Sequence, residues 1–311
     1  MVNNGLFMKQ SSKYTKLHFM FVLIAVLGVG LSVIDSTNAY TVVQYVLKAP
    51  DDSTYHFGNQ DSDFYVEKRD AMCNTQWHTT AGSTSSDDSD AEFSQVLYAG
   101  VLGTNGLLYA VGSTPGNRLT SDNENMKTAV VAYNTTDGSL VRYAQFDELN
   151  GLDNRPKAIA SRDSDGILIV GVYGSVNDTH QETKILQIQP EKFTLMVSHS
   201  VSLTSTDEYR TTNGLMLVSM IYERDLNSLV ALGHVASRAF LFRFDIDTGS
   251  VTDQAEWGSL FGTVTVDGLV SDMPGIYYIA GSTLESILDN KDVTSTSNYL
   301  RPYIVLSLIH I

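Results

Sequence analysis

The stretch GLLYAVGST at residues 106–114 decides the fold, because it returns as GIYYIAGST at residues 275–283. Shorter copies lie between them, GILIVG at 166–171 and SLVALG at 228–233. Each copy is an apolar run that stops at a glycine, which is the pattern of a short strand bounded by turn residues. The recurrence predicts an internal repeat. The closing glycines of the repeat are Gly112, Gly171, Gly233 and Gly281.

A second apolar run accompanies each copy of the first. Its copies are FYVE at 64–67, AVVAY at 129–133, KILQI at 184–188 and AFLFRF at 239–244. Two of these runs lead into the stretches NTTDGS at 134–139 and DIDTGS at 245–250. Both stretches predict hairpin turns, in which glycine adopts the positive φ without steric cost.

One repeat unit holds about four strand candidates, which in the second unit are residues 129–133, 140–146, 157–161 and 167–172. A single sheet of four short strands cannot bury both of its faces, whereas sheets stacked around an axis can. The sequence therefore predicts an all-β protein, a β-propeller built from four-stranded blades. A β-sandwich and a β-solenoid are the structural alternatives.

The order of these elements resembles the seven-bladed β-propeller repeat family, which is common among exported proteins. The resemblance is carried by AFLFRFD at 239–245, Gly249 and residues 275–283, with their counterparts around 106–114. It implies a binding or scaffold role more than an activity. We expect repeats over residues 40–305, with full units at 63–120, 126–180, 183–237 and 239–290. The third unit departs from the pattern, since PEK at 190–192 replaces the glycine turn.

The two ends of the chain predict export and an incomplete propeller. Three lysines precede the apolar segment 19–34, and the small residues Thr37 and Ala39 follow it. This order predicts a signal peptide at residues 1–39, with an uncleaved membrane anchor as the alternative. Residues 306–311 match the translation of an adapter used in sequencing libraries, so we expect them to be adapter-derived and the propeller to be truncated near Val305.

The charge and composition of the chain limit the classes of partner that it is expected to bind. The formal net charge is −15, and no basic stripe is visible, so nucleic acid is not an expected partner. We expect contact with a membrane only through an uncleaved N-terminal segment or a missing C-terminal anchor. The single cysteine, Cys73, is expected to be a small buried side chain, with pairing to a missing cysteine as the alternative.

Few residues are candidates for a site. Asp245 and Asp247 precede Gly249 like the opening of a calcium loop, so calcium is a weak candidate ligand, and an ordinary hairpin turn is the alternative. Sequons predict glycosylation at Asn134 and Asn177. Trp77 and Trp257 are expected in blade cores, with a sugar-stacking platform as the alternative.

No catalytic residue and no cofactor other than calcium is predicted. The zinc-protease, nucleophile-elbow and phosphate-loop motifs are missing from the sequence. We therefore expect a secreted or cell-surface β-propeller that acts as a non-catalytic binding or scaffold module for protein or glycan partners. One alternative is a propeller enzyme, a hydrolase, lyase or quinone-dependent oxidoreductase with residues dispersed over the blades. Another is a membrane-tethered ectodomain facing the outside.

Overall fold

Antiparallel strands dominate the described part of the chain. The computed structural model describes residues 41–81, 95–115, 126–147, 153–177, 180–203, 215–235, 238–258, 264–273, 275–283 and 301–308. A short 3-10 turn at Arg224–Leu226 is the helical element within these ranges. The strands are β1 (Thr41–Lys48), β2 (Thr54–Gln60), β3 (Asp63–Arg69), β4 (Thr75–Ala81), β5 (Val96–Leu102), β6 (Leu107–Pro115), β7 (Met126–Asn134), β8 (Leu140–Phe146), β9 (Asp153–Ser161), β10 (Leu168–Asn177), β11 (His180–Gln189), β12 (Thr194–Ser200), β13 (Met216–Glu223), β14 (Ser228–Val235), β15 (Arg238–Asp245), β16 (Ser250–Gly258), β17 (Val264–Met273), β18 (Ile276–Thr283) and β19 (Arg301–Leu308).

The strands pair in chain order. They form the antiparallel meanders β1–β4, β5–β8, β9–β12, β13–β16 and β17–β19, which we call sheets 1 to 5. A parallel pairing of Met126 in β7 with Asp153 in β9 joins sheets 2 and 3 into one hydrogen-bonded sheet of eight strands. The prediction of an all-β protein with four-stranded antiparallel sheets is therefore confirmed.

The apolar core consists of clusters that each lie between two consecutive sheets. On β7, Ala129 and Val131 belong to the cluster shared with sheet 1, while Val130 and Ala132 belong to the cluster shared with sheet 3. Successive side chains of a strand point to opposite faces, so this alternation buries both faces of sheet 2. The unbroken apolar run at 129–133 follows directly from that double burial.

The first strands of the sheets, which we call the innermost strands, make contacts between consecutive sheets. The first strand of each sheet lies against the first strand of the next: β1 against β5, β5 against β9, β9 against β13, and β13 against β17. A sandwich would place one core between two layers, whereas here each inner sheet shares a core with both of its neighbours. The arrangement is propeller-like.

The predicted repeat units are offset from the sheets. Each of the units 63–120, 126–180, 183–237 and 239–290 begins at the third strand of one sheet and ends at the second strand of the next. A repetitive sequence can be divided into units from any starting residue. Only the hydrogen-bonded pairing of the strands shows which four strands form one sheet. Strands β1 and β2 complete sheet 1 before the first full unit.

The hairpins between the third and fourth strands of sheets 2, 3 and 4 share one turn. Gly138 and Gly249 have φ of 72°, and each donates its N–H to the carbonyl four residues back, as the sequence predicts. In sheet 3 Phe193 fills this position with a φ of 50°, and its N–H bonds the carbonyl of Gln189. The ring of Phe193 is buried against Tyr109, so side-chain packing compensates for the strained backbone.

Outer strands pack onto the hairpin of the following sheet. The indole of Trp77 in β4 donates to the carbonyl of Thr135 at 3.2 Å, and its ring leaves no room for a Cβ on Gly138. His199 in β12 lies against Gly249 in the same manner. Trp77 and Trp257 each pack against an apolar core cluster. Because Trp77 also contacts the hairpin of sheet 2, it stabilises the packing of sheet 1 against sheet 2.

Cys73 is exposed, and the expectation of a buried side chain is wrong. The residue lies in the turn between β3 and β4 with a φ of 65°. The carboxylate of Asp70 holds this turn by accepting from the N–H groups of Met72 and Asn74 at 2.9 Å. A solvated Asx-type turn offers no apolar surroundings for the thiol.

The predicted signal peptide, residues 1–39, lies outside the described residues. The residues expected to be adapter-derived are paired in β19 as far as Leu308, which is opposite Ile276 of β18. Their origin stays a prediction.

Candidate functional site

Every innermost strand carries a β-bulge beside the closing glycine of the repeat. The glycine lies on the second strand of the sheet and pairs with an apolar residue of the first strand. The extra residue directly follows that apolar residue in sheets 1, 2, 4 and 5, and directly precedes it in sheet 3. We call the extra residues the bulge row: Gln44, Tyr98, Lys157, Val218 and Asp267.

The bulges explain why the repeat needs glycine. A Cβ on Gly58 would lie 1.8 Å from the carbonyl oxygen of Val42, and one on Gly112 would lie 2.1 Å from that of Val96. Gly233 would meet the carbonyl of Met216 in the same way, at 2.6 Å. In these three sheets the bulged strand brings its backbone too close for any side chain opposite. At Gly171 a Cβ would instead meet the side chain of Leu217 at 2.6 Å. Gly58 is thus a further copy of the closing glycine, which the sequence pattern did not show.

The bulge row is accessible although its neighbours are buried. The apolar residues paired with the glycines are all buried. The bulge residues are partly or fully exposed, with Gln44 and Asp267 the most open. Bulges redirect a side chain away from the regular alternation, and they are frequent next to binding and active sites. The buried partners are Val43, Leu97, Ala158, Leu217 and Val266.

Two members of the row are in direct contact. The ammonium of Lys157 in β9 lies 3.5 Å from the centroid of the Tyr98 ring in β5, a cation–π contact between sheets 2 and 3. Burial, together with the positive charge of Arg155, lowers the pKa of Lys157 to about 8. Arg155 is exposed and lies two residues before Lys157 on the same strand.

Asp267 is the carboxylate of the row. Its side chain is exposed, but the protein around it removes part of its hydration, and this partial desolvation raises its pKa above the usual range, while the charge of His234 opposes that shift. The row therefore offers an amine, a carboxylate, a phenol and an amide at equivalent places of different sheets. These groups can bind an anion, accept hydrogen bonds from hydroxyls and provide an aromatic surface. Hydrolysis of a glycoside requires two carboxylates, and the described row contains one.

Lys157→Met is expected to stabilise the protein at pH 7 by about 1–2 kcal/mol, which allows for the partial exposure of the side chain. At pH 7 the amine is charged in both states, and the folded state carries the cost of burying it. The lowered pKa means that the folded state releases its proton at about pH 8, so wild-type stability rises from there towards the ordinary value of 10.5. Urea denaturation should show the gain at pH 7 and a smaller gain as the pH rises. An equal gain at both ends of that range would contradict the assignment.

Buried carboxylates elsewhere are paired within the framework. Glu223 at the end of β13 accepts from Arg243 at 2.8 Å and from the hydroxyl of Tyr277, which links sheets 4 and 5. Burial, with the bond to Glu223, raises the pKa of Tyr277 to about 12. In sheet 1, burial of Glu67 raises its pKa, but the hydrogen bonds from Arg69 and Thr75 bring it below the usual value. We assign both clusters to stability.

The predicted calcium residues lie in the hairpin of sheet 4. One carboxylate oxygen of Asp245 accepts the N–H groups of Asp247 and Thr248, each at 2.9 Å. Asp247 accepts from the side-chain amide of Asn227 at 2.6 Å and lies 4.0 Å from Arg162. Within the described ranges no group of three or more His, Cys, Asp or Glu side chains could hold a metal ion. Calcium binding at Asp245 and Asp247 stays a prediction.

The two predicted glycosylation sites lie at strand ends. Asn134 ends β7 at the surface, and its side-chain oxygen accepts the N–H of Thr136 at 2.8 Å. Asn177 ends β10, and the next two residues of its sequon lie outside the described part of the chain. Glycosylation at either position stays a prediction. Among the described residues, no helix is long and apolar enough to span a membrane.

No protein-family model matches the chain, and no curated protein matches its sequence. Solved structures do resemble it. Hydrazine synthase of Kuenenia stuttgartiensis aligns with a TM-score of 0.53 and 12% identity, over 89% of this chain and 66% of that chain. The β-propeller domain of Cps50 (Swd1) from Myceliophteria thermophila aligns with a TM-score of 0.49 and 11% identity, over 86% and 73% of the two chains. An endo-arabinase from Bacteroides thetaiotaomicron aligns with a TM-score of 0.46 and 14% identity, over 87% and 95%.

These likenesses concern the fold alone, because the identities are low. The chain spans slightly less than two thirds of the hydrazine synthase chain. Two of the similar structures are described as propellers, the Cps50 (Swd1) domain and Dos1, and the similar structures also include enzymes such as the endo-arabinase. The chain is an all-β protein of propeller-like architecture with several four-stranded antiparallel sheets.

Proposed function

We propose that this chain is an exported β-propeller that acts as a non-catalytic binding module, with the bulge row as the surface that contacts a protein or glycan ligand. One observation carries the proposal. The residues paired with the closing glycines are apolar in every sheet, yet the bulge residues beside them are a glutamine, a tyrosine, a lysine, a valine and an aspartate. A position with a purely structural role would repeat its chemistry along with its backbone.

Export rests on the sequence. The segment 1–39 has the order of a signal peptide, and the surface position of Asn134 suits glycan attachment. In this proposal the chain is secreted. Amino-terminal sequencing of the exported product tests the cleavage: a start at Tyr40 supports it, and retention of residues 19–34 favours the membrane-tethered alternative.

A propeller enzyme is the second candidate, and the lowered pKa of Lys157 favours it. A desolvated amine with a pKa near 8 is a better nucleophile at neutral pH than an ordinary lysine. Hydrolysis would need a second acid or base near the row. Reduction with borohydride in the presence of a carbonyl compound, followed by mass spectrometry, tests this reading. Selective labelling of Lys157, together with turnover of the same carbonyl compound that is lost in Lys157→Met, would overturn the non-catalytic proposal.

We expect the affinity of the protein for its ligands to depend on the side chains of the bulge row. Purified protein is applied to an array of immobilised glycans and extracellular proteins, and each positive spot is measured again with Gln44→Ala and with Lys157→Met. We expect binding to fall by about tenfold or more in at least one variant, because each removes a polar contact to the ligand. Lys192→Ala, on the exposed hairpin between β11 and β12, is the matched control and should bind like the wild type. Ligands that bind all three variants equally would place the binding surface elsewhere.

A further inference from the structure

We propose that the bulge row binds an anionic glycan, and that the ammonium of Lys157 is the contact for its acidic group. This inference rests on the proposed function, since it names the ligand class for the same row. It goes beyond that function by assigning one residue to the charge of the ligand.

The first argument is the partner of Lys157. Among the described residues, the Lys157 ammonium contacts the face of the Tyr98 ring, with 3.5 Å between its nitrogen and the ring centroid, and not a carboxylate. An aromatic face attracts a cation through its quadrupole only, whereas an anion supplies a full charge and hydrogen-bond acceptors. A ligand acid can therefore draw the ammonium into a stronger contact than the one it makes now.

The second argument is the charge around β9. Arg155 lies two residues from Lys157 and acts on it electrostatically, as the lowered pKa of the lysine shows. An anion that binds beside Lys157 is attracted by the positive charges of both residues. Strand β9 contains Asp153, Arg155 and Lys157, a formal charge of about +1, whereas the chain as a whole carries −15.

The third argument selects a glycan over an acidic peptide. Gln44 and Asp267 are the most exposed members of the row, and both can accept hydrogen bonds from sugar hydroxyls. A run of peptide carboxylates would place further negative charge near Asp267 and against the acidic chain. A glycan with an acid on alternate sugars supplies one charge for Lys157 and hydroxyls for the other members.

The test measures binding of defined oligosaccharides by isothermal titration calorimetry in low salt, where ionic contacts are least screened. A hyaluronan hexasaccharide supplies carboxylates, and its carboxyl-reduced form is the same molecule without the charge. A keratan sulfate hexasaccharide supplies sulfate without carboxylate, and hexaglutamate represents an acidic peptide. The proteins are the wild type, Lys157→Met, Lys157→Arg and the control Lys192→Met, each first checked for cooperative thermal unfolding.

We expect one of the two acidic glycans to bind, with affinity falling about tenfold or more in Lys157→Met. Carboxyl reduction should cause a loss of similar size if hyaluronan is the ligand. Lys157→Arg should retain much of the affinity, because it keeps the charge, and Lys192→Met should match the wild type. The acidic glycan that binds identifies carboxylate or sulfate as the recognised group.

Three results would overturn the inference and still leave the binding module intact. They are equal affinity for the reduced hexasaccharide, tighter binding of hexaglutamate than of either glycan, and failure of both acidic glycans while the array yields a ligand that depends on Gln44. Failure of the acidic glycans together with array ligands that ignore every row variant would overturn both proposals.

Discussion

Gly112→Ala is expected to destabilise the protein by about 3–4 kcal/mol. The new Cβ would lie 2.1 Å from the carbonyl oxygen of Val96, and that oxygen belongs to the backbone of the bulged strand. Neither strand can retreat, because both are packed between sheets 1 and 3. For a chain of this size the loss corresponds to a decrease in Tm of roughly 10 °C.

Gly268→Ala is the matched control for this change. Gly268 lies on β17 beside the bulge residue Asp267, and a Cβ there would meet nothing within 4 Å. Its variant should unfold within about 0.5 kcal/mol of the wild type in urea. Equal stability of the two alanine variants would mean that the bulge of β5 does not approach Gly112 as the structure shows.

Arg243→Met is expected to cost about 3–5 kcal/mol, because it leaves Glu223 buried without its cation. The side chains of both residues are 8% exposed, and the pair bridges β13 and β15 beside the Tyr277 hydroxyl of sheet 5. Desolvation of an unpaired carboxylate outweighs the apolar contact that methionine gains. Chemical denaturation of the single variant and of the double variant Glu223→Met/Arg243→Met measures the effect.

The double variant should be more stable than Arg243→Met, since an apolar pair leaves no charge uncompensated. Arg224→Met is the matched control, because Arg224 pairs with Asp163 at 2.7 Å while its own side chain is 69% exposed. Its loss should stay within about 1 kcal/mol. If Arg243→Met costs no more than Arg224→Met, the cluster does not join sheets 4 and 5 as described.

The closing glycines and the contacts between sheets have different roles in the fold. The glycines allow the innermost strand to bulge, and the bulge exposes a side chain that the strand alternation would bury. The hydrogen bond from the Tyr277 hydroxyl to Glu223 and the Trp77 contact join one sheet to the next. The framework therefore tolerates any chemistry in the bulge row as long as the glycines and the contacts between sheets stay in place. This separation supports a binding role, because ligand contacts can vary without loss of the fold.

Local patterns in the sequence predicted the strands but not their partners. Residues 140–146 were predicted as a strand and form β8 with the same bounds. The phase of the sheets was missed, since a repeat unit from β7 to β10 is as regular in sequence as a sheet from β5 to β8. The sequence showed that the third unit lacks the turn glycine, but it did not show that Phe193 takes the positive φ or that Cys73 is exposed, because packing and turn geometry decide both.

The sequence by itself determined the all-β class, the repeat and the hairpin glycines, since apolar period and turn chemistry are local properties. Only the tertiary structure decided which residues form the bulge row, because a bulge is defined by pairing with another strand. The contact of Lys157 with Tyr98 joins residues of different sheets. The closing glycines Gly112 and Gly233 are visible in the sequence, but the reason for them, the approach of the carbonyl on the opposite strand, exists only once the two strands are paired.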